Sequence, residues 1–170
     1  MKHLIVSAAA SGLGKTLLCC EVISRASEQG MKVFCCKLSR GGHAPVGVQE
    51  GPGREGTDTW RYCRAGAARA VVAGFDDPAE LGSLLPGLPG DEDLVIWESN
   101  TVASSPALDA YYLVYIRSEG VSSPKNPDLA GKADLVLEGP LDHASAHGAA
   151  SQIIAAIFPG KVRGKGSEAV

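Results

Sequence analysis

The sequence predicts an α/β fold built on a mostly parallel sheet, and three observations carry that prediction. Short apolar runs alternate with stretches of helical periodicity along most of the chain. The runs are apolar throughout rather than alternating, as strands covered on both faces are. The first of them ends in a glycine-rich turn that leads straight into an amphipathic stretch.

The elements follow in order. Residues 4–8 form an apolar run ending in small residues, which reads as a buried strand. Residues 15–29 carry Leu17, Leu18, Val22, Ile23 and Ala26 at helical spacing, and Gly30 supplies the stop. Residues 32–38 (KVFCCKL) read as a second strand. Residues 39–56, with six glycines and two prolines, read as a long loop, of the kind that is often functional. Thr57, Asp58 and Thr59 offer a helix N-cap, and that helix ends near Gly66. A third strand falls at 70–73, a proline-marked helix at 78–85 and a turn-rich spacer at 86–93. Strands at 94–97, 111–116 and 134–137 follow, and an alanine-rich helix over 142–158 closes the fold. Residues 1–160 are expected to form a single domain and residues 161–170 a frayed tail.

Composition narrows the function. Hydrophobic residues make up 45% of the 170-residue chain and charged residues 21%, the balance of a globular protein. A net charge of −3 gives no basic patch for nucleic acid. The N-terminal apolar run is too short for a secretion signal, and no window nears the roughly 20 apolar residues that span a bilayer. A cytoplasmic protein with no membrane or nucleic-acid partner is expected. The five cysteines show no CxxC spacing and read as reduced thiols filling small apolar sites.

The chemistry concentrates at Ala9-Ala10-Ser11-Gly12-Leu13-Gly14-Lys15-Thr16, which fits the P-loop pattern GxxxxGK[ST] with Ala9 in place of the first glycine. Such a turn points successive backbone N–H groups at phosphate oxygens, and the helix that follows adds its positive end. Ser11, Gly12, Leu13, Gly14, Lys15, Thr16 and Leu17 are therefore expected to bind a nucleoside triphosphate. Lys15 would reach the β- and γ-phosphates, and the Thr16 hydroxyl would coordinate Mg²⁺. With that loop, the predicted class is a three-layer P-loop NTPase fold.

Mg²⁺ takes one or two carboxylates. Glu98 stands at the carboxyl end of an apolar strand, where such sheets bind ligands, although a solvated strand end would look the same. Asp58 is the second candidate, and a helix cap is its alternative reading. Lys15, Asp58 and Glu98 are the candidate catalytic residues. Arg40, His43 and Arg54 on the long loop could contact a phosphate or second substrate, or could simply be solvated.

The P-loop, the segment from Lys37 to His43, the run PGREGTDTWRYCR at 52–64 and the Ala65-Gly66-Ala67 turn together resemble the MobB family. That family comprises GTP-binding adaptors of molybdopterin-guanine dinucleotide biosynthesis. The resemblance covers about the first 75 residues, with Asp58 and Arg61 in corresponding places and Glu55-Gly56-Thr57 looking inserted. The Glu98 region is similar to the family's glutamate-glycine segment, with Ser99 in place of glycine. The wider group of dimeric P-loop proteins that includes dethiobiotin synthetase places a P-loop threonine, a loop aspartate and this glutamate around Mg²⁺. By that resemblance Thr16, Asp58 and Glu98 form the metal shell, and the protein is a homodimer. Lys132-Ala133-Asp134 is similar to the guanine signature NKxD, but Gly131 stands where asparagine should, and a turn into a strand is the better reading. Asn126 and Asp128 are equally reasonable base contacts, so guanine versus adenine stays open.

The resemblance implies a Mg²⁺-dependent GTP-binding accessory protein with slow GTPase activity, acting beside a molybdopterin nucleotidyltransferase. The rival is an ATP-dependent small-molecule kinase or ligase, and a third reading is a scaffold that binds nucleotide without turnover.

Overall fold

The computed structural model describes residues 1–41 and 47–160. A seven-stranded sheet organises it, in the order β3-β4-β2-β5-β1-β6-β7. The strands are β1 (Lys2–Ala8), β2 (Val33–Arg40), β3 (Gly47–Glu50), β4 (Arg69–Phe75), β5 (Leu94–Glu98), β6 (Tyr112–Arg117) and β7 (Leu135–Glu138). All pairings are parallel except β3 against β4. The helices are α1 (Lys15–Glu28), α2 (Asp58–Arg64), α3 (Leu81–Gly87) and α4 (His143–Ile157). The fold is α/β with a mostly parallel sheet, as its apolar runs dictate.

β1 lies at the centre, and its residues Leu4 to Ala8 are all buried. Its neighbours β5 and β6 are consecutive in sequence yet sit on opposite sides of it. The chain thus switches direction around β1, which opens a crevice outside the strands' carboxyl ends. α1 packs against α4 on one side and α2 on the other. Ala146, Ala149 and Ala150 on α4 are small enough to let α1 approach closely, while Ile153, Ile154 and Ile157 fill the space below.

Two expectations are corrected. Residues 39–56 are not all loop: β2 runs on to Arg40, and Gly47–Glu50 pairs with β4 as an edge strand. All four residues of β3 are exposed, so no apolar pattern marked them, and the Arg69 guanidinium holds Glu50 through both oxygens at 2.8 and 3.1 Å. The predicted helix at 78–85 is a 3₁₀ turn, Pro78–Glu80, followed by α3, because Asp77 and Glu80 cap one another across Pro78. The predicted tail, 161–170, lies outside the described residues.

The five cysteines are free. Burial pushes their thiols up, Cys20 to about 12, so they pack as small apolar groups. Among the described residues no helix is long and apolar enough to cross a membrane.

Candidate functional site

The turn between β1 and α1 is shaped by glycine. Gly12 and Gly14 have φ of 79° and 99°, a left-handed region that side chains avoid. At Gly14 space is also closed, since an added Cβ would lie 2.9 Å from Leu141 Cβ. Gly14 is the N-cap of α1, so the free N–H groups of the helix's first turn face the crevice. Ala9, where the pattern expects glycine, is tolerated: it is 2% exposed. Its N–H donates to Ile116 O, and its carbonyl accepts from Lys125 N at 2.7 Å.

A cleft of about 760 Å³ opens above this turn. Ser11, Gly12, Gly14, Lys15, Thr16 and Leu17 line it. Leu13 does not, because its side chain is buried and its carbonyl accepts from Leu141 N. Among the described residues the wall carries five cationic side chains (Lys15, Lys37, Arg40, Arg61 and Lys125) and one carboxylate, Glu98. Such a lining favours a polyanion.

Glu98 is the centre of the polar network, and at 2% exposure it is a buried carboxylate rather than a solvated strand end. Burying that charge is tolerable only with good partners. Thr16 Oγ1 donates to it at 2.9–3.1 Å, and the Tyr62 hydroxyl donates to Oε2. Lys37 Nζ is 3.2 Å from Oε1. Lys37 and Glu98 are paired in register on adjacent parallel strands, so the sheet itself places ammonium and carboxylate side by side. Lys37 Nζ also reaches Asp58 Oδ2 at 2.6 Å. Asp58 is not the helix cap: Thr57 is, its side chain accepting from Trp60 N, so Asp58 is free to turn toward Lys37. Asp58 joins the site through Lys37 rather than by lining the cleft.

The two lysines differ electrostatically. Burial holds the Lys15 ammonium below its ordinary range, only partly opposed by Glu98. Burial also opposes the Lys37 charge, but Glu98 and Asp58 outweigh it and hold Lys37 above its ordinary range. Among the described residues no carboxylate lies in ion-pair range of Lys15. Lys15 therefore gains most from an incoming anion, whereas Lys37 is already paired. Burial and the charge of Glu98 keep the Tyr62 phenol protonated and a donor.

Asn100 ties the strand ends together. Its Oδ1 accepts from Ser7 Oγ and Ala8 N at 2.9 and 3.0 Å, and its carbonyl accepts from Asn126 Nδ2. Asn126 lines the cleft, but Asp128 does not. Asp134 accepts from Leu113 N at 2.7 Å and so caps β6, as the turn reading of Lys132-Ala133-Asp134 expected. Arg54 is exposed and outside the lining, and His43 lies outside the described residues. Sequence reasoning missed Tyr62, Asn100 and Lys125, and met Lys37 only within a resemblance. For Lys37 a signal existed: a lone charge inside an apolar strand, near its carboxyl end.

Thr16 and Glu98 suit a Mg²⁺ ion in the chemistry of their donors. Both offer hard oxygens, and neighbouring ligands of an octahedral ion at about 2.1 Å stand about 3 Å apart, which is the spacing between them. Asp58 would complete the set from α2.

The sheet order, the turn from Gly12 to Thr16 and the helix behind it define a P-loop α/β protein. Residues 4–83 match the family model described as MobB, molybdopterin guanine dinucleotide synthesis protein B, so the first half of the chain carries that family's pattern. A search of solved structures finds, with 10% identity and a TM-score of 0.43, the solution NMR structure of a de novo designed protein of the P-loop NTPase fold. The match covers 92% of this chain and 94% of that one. No curated protein matches the chain.

Proposed function

We propose that this protein binds a nucleoside triphosphate, with GTP the leading candidate, together with Mg²⁺. It hydrolyses the nucleotide slowly, as an accessory protein in molybdopterin-guanine dinucleotide synthesis. The observation that carries the reading is the pairing of Lys15, which has no carboxylate in ion-pair range among the described residues, with a glycine-shaped helix N-terminus above β1. The family match over residues 4–83 supports the pathway. The backbone N–H groups of Ser11 to Thr16 would cradle the phosphates, and Lys15 would neutralise the β- and γ-oxygens. Thr16, Glu98 and Asp58 would hold Mg²⁺, which when bound supplies charge to draw electrons from the bridging oxygen. Tyr62 keeps the Glu98 carboxylate aimed at Thr16. A homodimer beside a nucleotidyltransferase partner completes the proposal.

Calorimetric titration with non-hydrolysable GTP and ATP analogues, each with and without Mg²⁺, tests it. The expected result is Mg²⁺-dependent binding that favours GTP. Absence of any nucleotide binding would overturn it. One observation favours a second reading, an ATP-dependent kinase or ligase: the cleft runs past the P-loop to Arg40 and Arg61, room for an anionic acceptor. Preference for ATP, with turnover that needs a small acceptor, would select that reading.

A further inference from the structure

We propose that Lys37 is a built-in counter-ion that competes with the divalent metal for the same two carboxylates. Metal binding therefore releases Lys37 from Glu98 into the cleft. The inference rests on the reading that Thr16, Asp58 and Glu98 hold a metal. Lys37 Nζ lies 3.2 Å from Glu98 Oε1 and 2.6 Å from Asp58 Oδ2, and so bridges the two carboxylates. Thr16 Oγ1 stands 3.1 Å from that same Oε1. Thr16 Oγ1 also stands 2.9 Å from Oε2, so a divalent ion bound by Thr16 and both carboxylates would draw on the two groups that Lys37 bridges. Two cations a few ångströms apart repel strongly where water is scarce, so the site holds one or the other.

Three further features make the exchange workable. Lys37 is a compact charge on a flexible four-carbon stem, and its side chain is 29% exposed with the cleft beside it. Tyr62 holds Glu98 by the other oxygen, Oε2, from a wholly buried position, so the carboxylate stays aimed when the ammonium leaves. Asp58 and Tyr62 both belong to α2, so the exchange is felt by one short helix at the end of the 39–56 segment. The lysine thus guards the buried Glu98 and the half-buried Asp58 against mutual repulsion and against stray cations until a metal nucleotide arrives.

Mn²⁺ binding without nucleotide, read by loss of the free-ion electron paramagnetic resonance signal, tests this directly. The folded Lys37→Met variant, checked by circular dichroism, is expected to bind Mn²⁺ at least tenfold more tightly than wild type. The Lys37→Met/Glu98→Gln double variant should lose that gain. An affinity within twofold of wild type in folded Lys37→Met would overturn the proposal. A second measurement avoids substitution in the measured protein. With ¹³Cε-lysine labelling, and the Lys37 resonance assigned by its loss in Lys37→Arg, the wild-type signal should move on adding GDP with Mg²⁺. It should stay in place on adding GDP with EDTA. Equal movement in both, or in neither, overturns the proposal. Failure of the phosphate-site reading looks different, as wild type would then bind no nucleotide in calorimetry, whatever Mn²⁺ does.

Discussion

Two carboxylates are buried among the described residues, and they are held in opposite ways. Glu92, 4% exposed, receives the Arg69 guanidinium at 3.2 Å and the Gly90 N–H at 2.6 Å, while Arg69 also grips Glu50 and the Leu88 carbonyl. These contacts fasten the turn before β5 and the edge strand β3 to β4, and none of their residues lines the large cleft. Glu98, 2% exposed, has donors from three separate elements, namely Thr16 on α1, Lys37 on β2 and Tyr62 on α2, and it faces that cleft. Burial of a charge is common to both. The difference lies in whether the partners can be exchanged for something that enters from solvent. The rigid, multiply bonded guanidinium at Glu92 is a fastening, whereas the hydroxyl and ammonium at Glu98 are replaceable.

The largest expected effect tests the functional side of this contrast. Lys15→Ala should lose about 100-fold or more in affinity for metal nucleotide, because several charge-assisted hydrogen bonds of about 1.5–3 kcal/mol each disappear. Its melting temperature should hardly change, since Lys15 makes no ion pair among the described residues. Calorimetry beside a thermal melt checks both; a folded variant that keeps its affinity would remove the phosphate site.

A direct comparison of the two carboxylate sites comes next. Arg69→Ala should cost on the order of 3 kcal/mol in urea unfolding, the low end for breaking a buried pair because Arg69 is about one-third exposed. Its nucleotide affinity should stay the same. Glu98→Gln should do the reverse, losing about tenfold in the Mg²⁺-dependent part of binding while altering stability by only about 1 kcal/mol. If both variants lost stability equally and neither changed binding, the two sites would be the same kind of fastening.

The smallest effect lies at the opposite end of the strands. Burial, and then the nearby N-terminal charge, hold His3 below its ordinary range, and its Nδ1 accepts from Trp97 Nε1 at 3.2 Å. The unfolded chain therefore takes up a proton near pH 6.5 before the folded one does. Stability is present above that pH and is lost as pH falls through the lowered folded value. The ring is only partly buried, so the loss should be small. Thermal melts between pH 7 and pH 5 should show a shallow decline that His3→Phe flattens. An identical decline in that variant would assign it elsewhere.

What could be read from the sequence followed burial. β1, β2, β4, β5 and β6 are apolar because helices and neighbouring strands cover them, so composition alone exposed them. β3 was invisible, since Gly47–Glu50 is exposed and owes its conformation to pairing with β4. Strand ends ran a residue or two beyond the apolar runs, as at Lys2 and Arg40, because backbone pairing continues past the buried side chains. Within the site, local chemistry was legible: glycines at positive φ, a lysine at a helix start and a carboxylate at a strand end. Convergence was not. Tyr62 reads as one aromatic on a polar helix, and Asn100 as one loop amide, until tertiary packing brings them to Glu98 and to the end of β1. The thiol reading of the cysteines followed from their odd number, their adjacent pairs and the missing CxxC spacing, because small apolar sites suit them without a partner geometry.

The central strand has a consequence for how this protein can be divided. β1 carries the phosphate turn, yet both strands that pair with it, β5 and β6, lie beyond residue 83. The turn is also braced from behind by Leu141, whose N–H meets Leu13 O and whose side chain closes the space at Gly14. The stretch that carries the family pattern is thus not a transferable module. Grafted alone onto another scaffold, residues 4–83 would bring the residues that contact phosphate but leave behind the walls that give them their shape.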